Sequence, residues 1–156
     1  MIYVEAPQEF EVPPGAFSVF LAGGITGCPD CQSEICDKLK NKPDSLVIFN
    51  PRRKDFPIEN PLVAEDQIPW EYKYLRKASL ISFWFPKETL CPIVLFEYGA
   101  HTMTRKPIVV GAHPDYVRRQ DLEIQTKLVR PVLPIFDNLD DVIEGIKYWY
   151  GQLRAY

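Results

Sequence analysis

Residues 18–24, with the sequence SVFLAGG, decide the fold of this chain. A short apolar run that ends in a glycine turn is typical of a strand buried on both faces of a parallel sheet. Similar runs occupy residues 46–49 and 80–85, and each is closed by a turn that contains proline. Residues 107–111 predict a fourth strand, and residues 132–136 predict a weaker fifth strand.

Segments with helical spacing of apolar residues alternate with these strands. They are residues 31–40, 70–77, 93–104, 118–128 and 140–153. This alternation predicts an α/β protein with helices on both faces of the sheet. We therefore expect a flavodoxin-like, doubly wound, mostly parallel sheet of four to five strands. The 156 residues suit a single three-layer domain.

Two segments lie outside this alternation. Residues 1–11 predict an extended lead-in that could add an edge strand. Residues 52–69 are charged and contain several prolines, which predicts a long loop. Loops of that length in compact domains usually serve a function or move.

The composition limits the kinds of partner and compartment. The net charge of −3 disfavours nucleic-acid binding, which normally requires a basic surplus. No apolar run approaches the roughly 18 residues of a membrane helix. Residues 1–10 lack the basic region of a secretory signal, so the four cysteines are expected to be reduced thiols. These features predict a cytoplasmic protein with no nucleic-acid partner and no membrane partner.

Ligands of doubly wound sheets bind beyond the carboxyl ends of the strands. Gly23, Gly24 and Ile25 follow the first apolar strand, and glycines there let a ligand approach backbone N–H groups. A tight strand-to-helix turn explains them equally well, because the segment matches no phosphate-loop motif. Asn50 and Arg52 follow the second strand. Asn50 is placed to meet a ligand, and Arg52 could hold a phosphate or orient a loop.

A carboxylate at position 97 interrupts an apolar helical segment. Burying Glu97 there is costly unless it faces a cleft or has partners. Gly99 lowers helix stability, which indicates close approach by another group. His101 lies four residues after Glu97 on the same helix face, where it could bond to Glu97 or simply cover that face. The pattern fits a site carboxylate and a surface-facing glutamate equally well.

Cys28 and Cys31 form a CxxC motif before a predicted helix. Such a motif can be a redox pair, because a helix N-terminus lowers the pKa of a thiol. A zinc site would need a second ligand pair, and the chain has only two histidines. Structural thiols near a turn are the favoured interpretation, and we predict no metal site.

Four motifs follow one another along the chain. They are residues 20–27 (FLAGGITG), residues 49–53 (FNPRR), residues 70–71 (WE) before the strand at 78–86, and residues 96–99 (FEYG). In this order they resemble the nucleoside 2-deoxyribosyltransferase family, and most closely its branch with a long loop after strand two. The resemblance covers residues 19–113.

The resemblance implies a pentosyltransferase that exchanges the purine or pyrimidine base of a (deoxy)nucleoside, as in purine salvage. The nucleophile of the family is the glutamate of its E-x-G element, which corresponds to Glu97. Its attack on C1′ would release the base and leave a covalent glycosyl ester. A second base would attack that ester, and two inversions would give net retention. The partners would be nucleosides and free nucleobases, with no cofactor.

The chain departs from the family where the leaving base is handled. The family has an Asp a few residues before the nucleophile, where this chain has Cys91 and Pro92. A second family Asp, near the start of strand three, corresponds to Ala78 or Ser79. The residues expected to replace these acids in substrate binding are Asp66, Glu71, Glu88 and the carboxylate of Tyr156. Gln67 and Trp70 could contact the base, although Trp70 fits a core position as well.

The last predicted helix carries three neighbouring aromatic residues. Tyr148, Trp149 and Tyr150 present more aromatic surface than one helix face buries, although packing on the sheet explains part of it. The resemblance implies sites at dimer interfaces, with Tyr156 entering a neighbour's site. We therefore expect a homo-oligomer built from dimers, as a dimer, tetramer or hexamer.

Two other functions fit the same scaffold. The first is a nucleoside or nucleotide N-glycosidase with water as the acceptor, in which Arg52 would bind a 5′-phosphate. The second is a non-catalytic nucleotide-binding sensor that uses the same cleft.

Overall fold

Strands and helices alternate along residues 1–43, 45–55 and 62–152, which are the residues described by a computed structural model. In chain order the elements are β1 (Ile2–Glu5), β2 (Phe17–Gly23), α1 (Cys31–Leu39), β3 (Leu46–Asn50), α2 (Val63–Lys77), β4 (Leu80–Phe85), α3 (Pro92–Thr102), β5 (Ile108–Ala112), α4 (Arg119–Val129), β6 (Ile135–Phe136) and α5 (Leu139–Gln152).

All six strands form one parallel sheet in the order β1-β3-β2-β4-β5-β6. Without β1 this is the doubly wound order of flavodoxin-like proteins, so the predicted fold class is confirmed. The sheet has one strand more than the four to five expected. The additional strand comes from the lead-in, where Ile2 lies opposite Val47 of β3.

Alternate residues of the strands point to two separate cores, which explains the continuous apolar runs in the sequence. Phe20, Phe49 and Phe83 pack under α2, α3 and α4. Leu21 and Ile48 pack on the other face, under α1 and α5. The result is a three-layer arrangement with helices on both sides of the sheet.

The second helix begins earlier than the sequence predicts. We expected a loop up to residue 69, but α2 begins at Val63 and contains Pro69. Proline in a helix removes one backbone donor, a cost that packing must offset. Val63, Gln67 and Trp70 are buried on one face of α2, and this amphipathic packing outweighs the local signal.

The aromatic residues near the end of α5 are partly buried against the sheet. The hydroxyl of Tyr150 lies 2.8 Å from Ser45 Oγ, and its ring packs on Phe17 with centroids 5.9 Å apart. Trp149 is half-buried, and Tyr148 is exposed. Ser45 precedes β3, so the last turn of α5 lies at the edge where the strands begin, which we call the amino edge.

Within the described residues, no helix is both long enough and apolar enough to cross a membrane. In the same part of the chain, no three His, Cys, Asp or Glu side chains are grouped so as to hold a metal ion.

Candidate active site

The sheet order reverses between β2 and β4, and ligands of such sheets bind outside the carboxyl ends of these strands. We call this end the carboxyl edge. Gly23 ends β2 and Gly24 follows it, both buried. A Cβ on Gly24 would lie 2.7 Å from Cys28 Sγ and 2.9 Å from Pro86 Cγ. Close packing of the strand ends therefore already requires glycine at position 24.

Arg52 braces the loop between β2 and α1. Its guanidinium donates hydrogen bonds to Ile25 O at 2.7 Å, Pro29 O at 3.2 Å, Cys28 O at 3.3 Å and Gln32 Oε1 at 3.3 Å. An ion pair of 3.3 Å joins it to Asp30. These bonds occupy both terminal nitrogens of Arg52 with the protein itself, so the geometry supports the loop-orienting interpretation of this residue.

Asn50 is also held by internal bonds at the carboxyl edge. This side chain is 2% exposed. Its amide donates to Tyr3 Oη at 2.9 Å, and its Oδ1 accepts from the backbone N–H of Arg52 at 2.9 Å. Tyr3 was absent from the sequence-based site because nothing in the sequence places β1 beside β3. Asn50 thus fixes the start of the loop that carries Arg52.

Two acidic side chains, Glu71 on α2 and Glu97 on α3, interact electrostatically. Glu71 lies on α2, half-buried, and accepts a 2.7 Å hydrogen bond from Gln67 Nε2. The same nitrogen donates to Pro51 O at 2.7 Å, which connects the carboxyl end of β3 to the acid. Gln67 Oε1 is buried and has no hydrogen-bond partner among the described residues. Burial raises the pKa of Glu71, and the bond from Gln67 partly opposes that shift.

Glu97 lies on the second turn of α3 and is half-buried. The pKa of Glu97 is raised to about 8. Burial is the main cause, and the charge of Glu71 is the second cause. Within the described part of the chain, no cation forms an ion pair with Glu97. The charge of Glu71 thus acts on Glu97, and near neutral pH the side chain of Glu97 holds a proton. We call Glu71 and Glu97 the acidic pair.

The raised pKa of Glu97 predicts a pH-dependent gain in stability for Glu97→Gln. The folded chain keeps a proton on Glu97 between the ordinary value of 4.5 and about 8, where the unfolded chain has lost it. The stabilising effect of the neutral Glu97 side chain is fully present below pH 4.5 and is lost as pH rises through about 8. We expect Glu97→Gln to exceed the wild type in thermal midpoint by about 3 °C or more at pH 8.5. Little difference should remain at pH 4, and an equal offset at both pH values would contradict this cause.

The other candidates on α2 have different surroundings. Trp70 is 3% exposed, packs against Phe20 and Phe49, and donates from Nε1 to Gln8 O at 2.7 Å. A position in the core therefore explains the contacts of both the Trp70 ring and its N–H group. Asp66 is exposed in the first turn of α2, where a carboxylate complements the helix dipole.

The remaining candidates lie away from the acidic pair or outside the described residues. Glu88 is exposed in the loop between β4 and α3. Burial chiefly raises the pKa of the Cys28 thiol, and the nearby charge of Glu88 adds to that shift. His101 lies in the last turn of α3, where burial and the charges of Lys106 and Arg76 lower its pKa. It makes no hydrogen bond to Glu97 within the described chain. Tyr156 lies outside the described residues.

Cysteine sulfurs converge on the glycine turn. The four cysteines are free. Burial raises the pKa of Cys31 to about 12 and that of Cys91 to about 11, so the thiols stay protonated and the redox interpretation of Cys28 and Cys31 gains no support. Cys91 Sγ lies 3.0 Å from the position of a Cβ on Gly24. Cys91 has a φ of 51°, a left-handed conformation before Pro92 that sequence patterns did not reveal.

Arg52→Met tests the role of Arg52 as a loop brace. Losing several charge-assisted hydrogen bonds should release the loop from Ile25 to Asp30, and we expect amide hydrogen exchange in this loop to become at least about tenfold faster. Lys54→Met is the matched control, since Lys54 is exposed nearby. A variant that keeps the loop protected but loses affinity only for 5′-phosphorylated ligands would instead show that Arg52 binds phosphate.

Comparison with known proteins adds a family and a structural neighbour. A family model described as Nucleoside 2-deoxyribosyltransferase like matches residues 16–116, a range that includes the acidic pair. A solved structure, described as the crystal structure of a conserved protein from Enterococcus faecalis V583, is similar with 12% identity and a TM-score of 0.61. The similarity covers 85% of this chain and 98% of that one, and at this identity it supports the fold alone. No curated protein sequence matches the chain significantly.

Proposed function

The chain belongs to the Nucleoside 2-deoxyribosyltransferase like family, and from this membership we propose that it exchanges the base of a 2′-deoxynucleoside for a free base. The single observation that carries the proposal is the acidic pair. A carboxyl whose pKa is raised to about 8, within electrostatic reach of a second acid, can supply a nucleophile while the second acid handles its proton. A surface glutamate would have neither the burial nor the acidic neighbour.

In the first half-reaction, an oxygen of Glu97 forms a bond to C1′ as the bond between C1′ and the base breaks. The proton that Glu97 holds near neutral pH moves first to Glu71, which leaves Glu97 as the carboxylate, and Glu71 then passes it to a nitrogen of the departing base. Proton transfer of this kind contributes about 10²- to 10⁴-fold. The negative charge on Glu97 also stabilises the oxocarbenium-like transition state before the ester forms.

In the second half-reaction, the incoming base attacks C1′ of the glycosyl ester from the opposite side. Its N–H proton returns to the acidic pair, and Glu97 leaves as the carboxylate. Two inversions give net retention of configuration at C1′. Water must be kept from the ester while the bases exchange, since its attack would give free sugar.

The carboxyl edge supplies positions for the substrate. We assign Gly23, Gly24 and Ile25 to the wall beside the sugar, because these residues follow β2 at the reversal of the sheet order. Gln67 is assigned to the base, because its buried Oε1 has no protein partner in the described chain and can accept a hydrogen bond from a base N–H. Arg52 and Asn50 hold the loop around these positions.

Base exchange is tested directly by mixing deoxyinosine with adenine. The proposal predicts deoxyadenosine and hypoxanthine in equal amounts, each measured by chromatography. Free deoxyribose without a new nucleoside would identify a hydrolase instead. Binding of both compounds without any turnover would identify a non-catalytic sensor.

We also propose that the chain forms a homo-oligomer through the outer surfaces of α2 and α3. Ile68 and Tyr72 on α2, with Ile93 and Phe96 on α3, are exposed apolar side chains, and Phe96 is 76% exposed. Phe96 is adjacent to Glu97, so a second copy covering it would also shield the acidic pair from water. The exposed apolar side chains of α2 and α3 support the homo-oligomer that the family resemblance implies.

Phe96→Glu is expected to dissociate this assembly. A charge placed in the centre of an apolar interface costs several kcal/mol when it is desolvated, enough to convert oligomer into monomer at micromolar concentration. Light scattering after gel filtration measures the mass. Leu128→Glu on α4 is the matched control, because Leu128 is equally exposed at 75%. A wild type that is already monomeric would overturn the proposal.

A further inference from the structure

A cavity of about 690 Å³ lies at the amino edge of β5, at the opposite end of the sheet from the glycine turn. Ile108 begins β5 and forms part of its wall, and Gly145 and Trp149 of α5 form another part. The volume is in the range of small-molecule sites. No step of the proposed base exchange uses this cavity.

The cavity wall is mostly apolar and carries three aromatic rings. These belong to Phe136, Tyr148 and Trp149. Tyr148 and Val132 are exposed at the cavity mouth, Val132 at 95%. Aromatic rings at a partly open cavity offer flat faces on which a planar ring can stack.

Three cations line the cavity without carboxylate partners. They are Arg105, Lys106 and Arg130. Lys106 Nζ donates to the carbonyls of Arg76, at 2.6 Å, and Ala78, at 2.5 Å. Arg130 Nε donates to Thr102 O at 2.9 Å. In the described part of the chain, none of the three cations belongs to an ion pair.

The acids in the same wall are already engaged. Asp141 accepts a 2.8 Å hydrogen bond from Asn138, and Glu144 forms a 2.7 Å ion pair with Lys147. The wall has three cations against two acids, and Glu144 is already neutralised by Lys147, so a surplus of positive charge remains. Burial and the charge of Arg76 lower the pKa of Lys106, as expected where cations gather without counter-ions.

We propose that this cavity is a second ligand site, which takes a small molecule with a planar aromatic body and one anionic group. The aromatic body stacks on the rings of the wall, and the anion lies toward Arg105. Lys106 and Arg130, whose nitrogens partly bond backbone carbonyls, add positive charge around it. A neutral aromatic molecule would leave the cationic surplus unpaired, and an anion without a ring would leave the apolar wall exposed to water. The site is independent of the proposed base exchange.

The test titrates the full chain with 8-anilinonaphthalene-1-sulfonate, an aromatic monoanion that fluoresces when bound. N-phenyl-1-naphthylamine serves as the uncharged aromatic comparison. We expect one sulfonate probe per chain, bound at least about tenfold more tightly than the uncharged probe. Equal affinity for the two probes would overturn the role of the cations.

Two pairs of variants locate the probe. Val132→Asp places a carboxylate at the mouth and should weaken sulfonate binding about tenfold, whereas Val132→Asn should leave it unchanged. Arg105→Glu should weaken it similarly, and Lys54→Glu, at an exposed position beyond the carboxyl end of β3, gives the same change in net charge without effect. Unchanged thermal midpoints exclude partial unfolding as the source of the signal. Binding that survives Val132→Asp and Arg105→Glu but is lost in Phe96→Glu would place the probe on α3 and overturn the proposal.

Discussion

Glu97→Gln is expected to abolish base exchange, with kcat reduced at least about 10⁴-fold. Glutamine keeps the shape and the burial of the side chain but cannot form the glycosyl ester. The variant should still fold, since removing a buried titratable group relieves the cost that raises the pKa of Glu97. Glu34→Gln, the same chemical change at an exposed position of α1, is the control.

The loss of turnover in Glu97→Gln distinguishes a transferase or hydrolase from a non-catalytic sensor when nucleoside binding and covalent trapping of the sugar are also measured. A transferase or a hydrolase that acts through Glu97 should retain nucleoside affinity in Glu97→Gln within about tenfold while losing turnover. With the wild type, a 2-fluoro-2-deoxynucleoside should leave a sugar adduct on the peptide that contains Glu97, detected by mass spectrometry. A wild type that turns over normal substrate but gives no adduct, or an active Glu97→Gln, would contradict covalent catalysis at this residue.

The fold was predictable because the strands are buried on both faces. A continuous apolar run such as that of β4 leaves few alternatives to a covered parallel sheet, and the glycine turn after β2 marks the carboxyl edge. The position of Glu97 within an otherwise apolar helix was predicted in the same way, from residues 93–104. Local patterns were sufficient for these features because each depends on residues close in sequence.

The acidic pair was not predictable as a pair. Glu71 and Glu97 are on different helices, and their approach depends on how α2 and α3 pack over the sheet. The first half of α2 was also missed, because Pro69 is a strong local signal for a loop, and the burial that overrides it involves distant strands. The role of Arg52 was only partly predictable. Its position after β3 suggested either a phosphate or a loop as its partner, and the bonds to Ile25 and Pro29 that favour the loop depend on the folded chain.

Glu71→Gln is expected to lower kcat for ordinary deoxynucleosides about 10²- to 10³-fold. The variant lacks the group that passes the proton to the leaving base, although Glu97 remains as nucleophile. Removing the charge of Glu71 also removes one cause of the raised pKa of Glu97, so the carboxylate forms at lower pH. Glu65→Gln, at an exposed position of the same helix, is the matched control.

A substrate whose base leaves without a proton distinguishes proton delivery by Glu71 from a structural role of this residue. The base of 7-methyl-2′-deoxyguanosine is already cationic and departs without a proton, so Glu71→Gln should process it within about fivefold of the wild type. Glu97→Gln should fail on both substrates. In the wild type, kcat for ordinary substrates should fall as pH rises through about 8, where Glu97 loses its proton. This alkaline decline should vanish with the methylated substrate, because the reaction then needs only the carboxylate that rising pH favours. Equal losses on the two substrates in Glu71→Gln would mean that Glu71 positions Glu97 and delivers no proton.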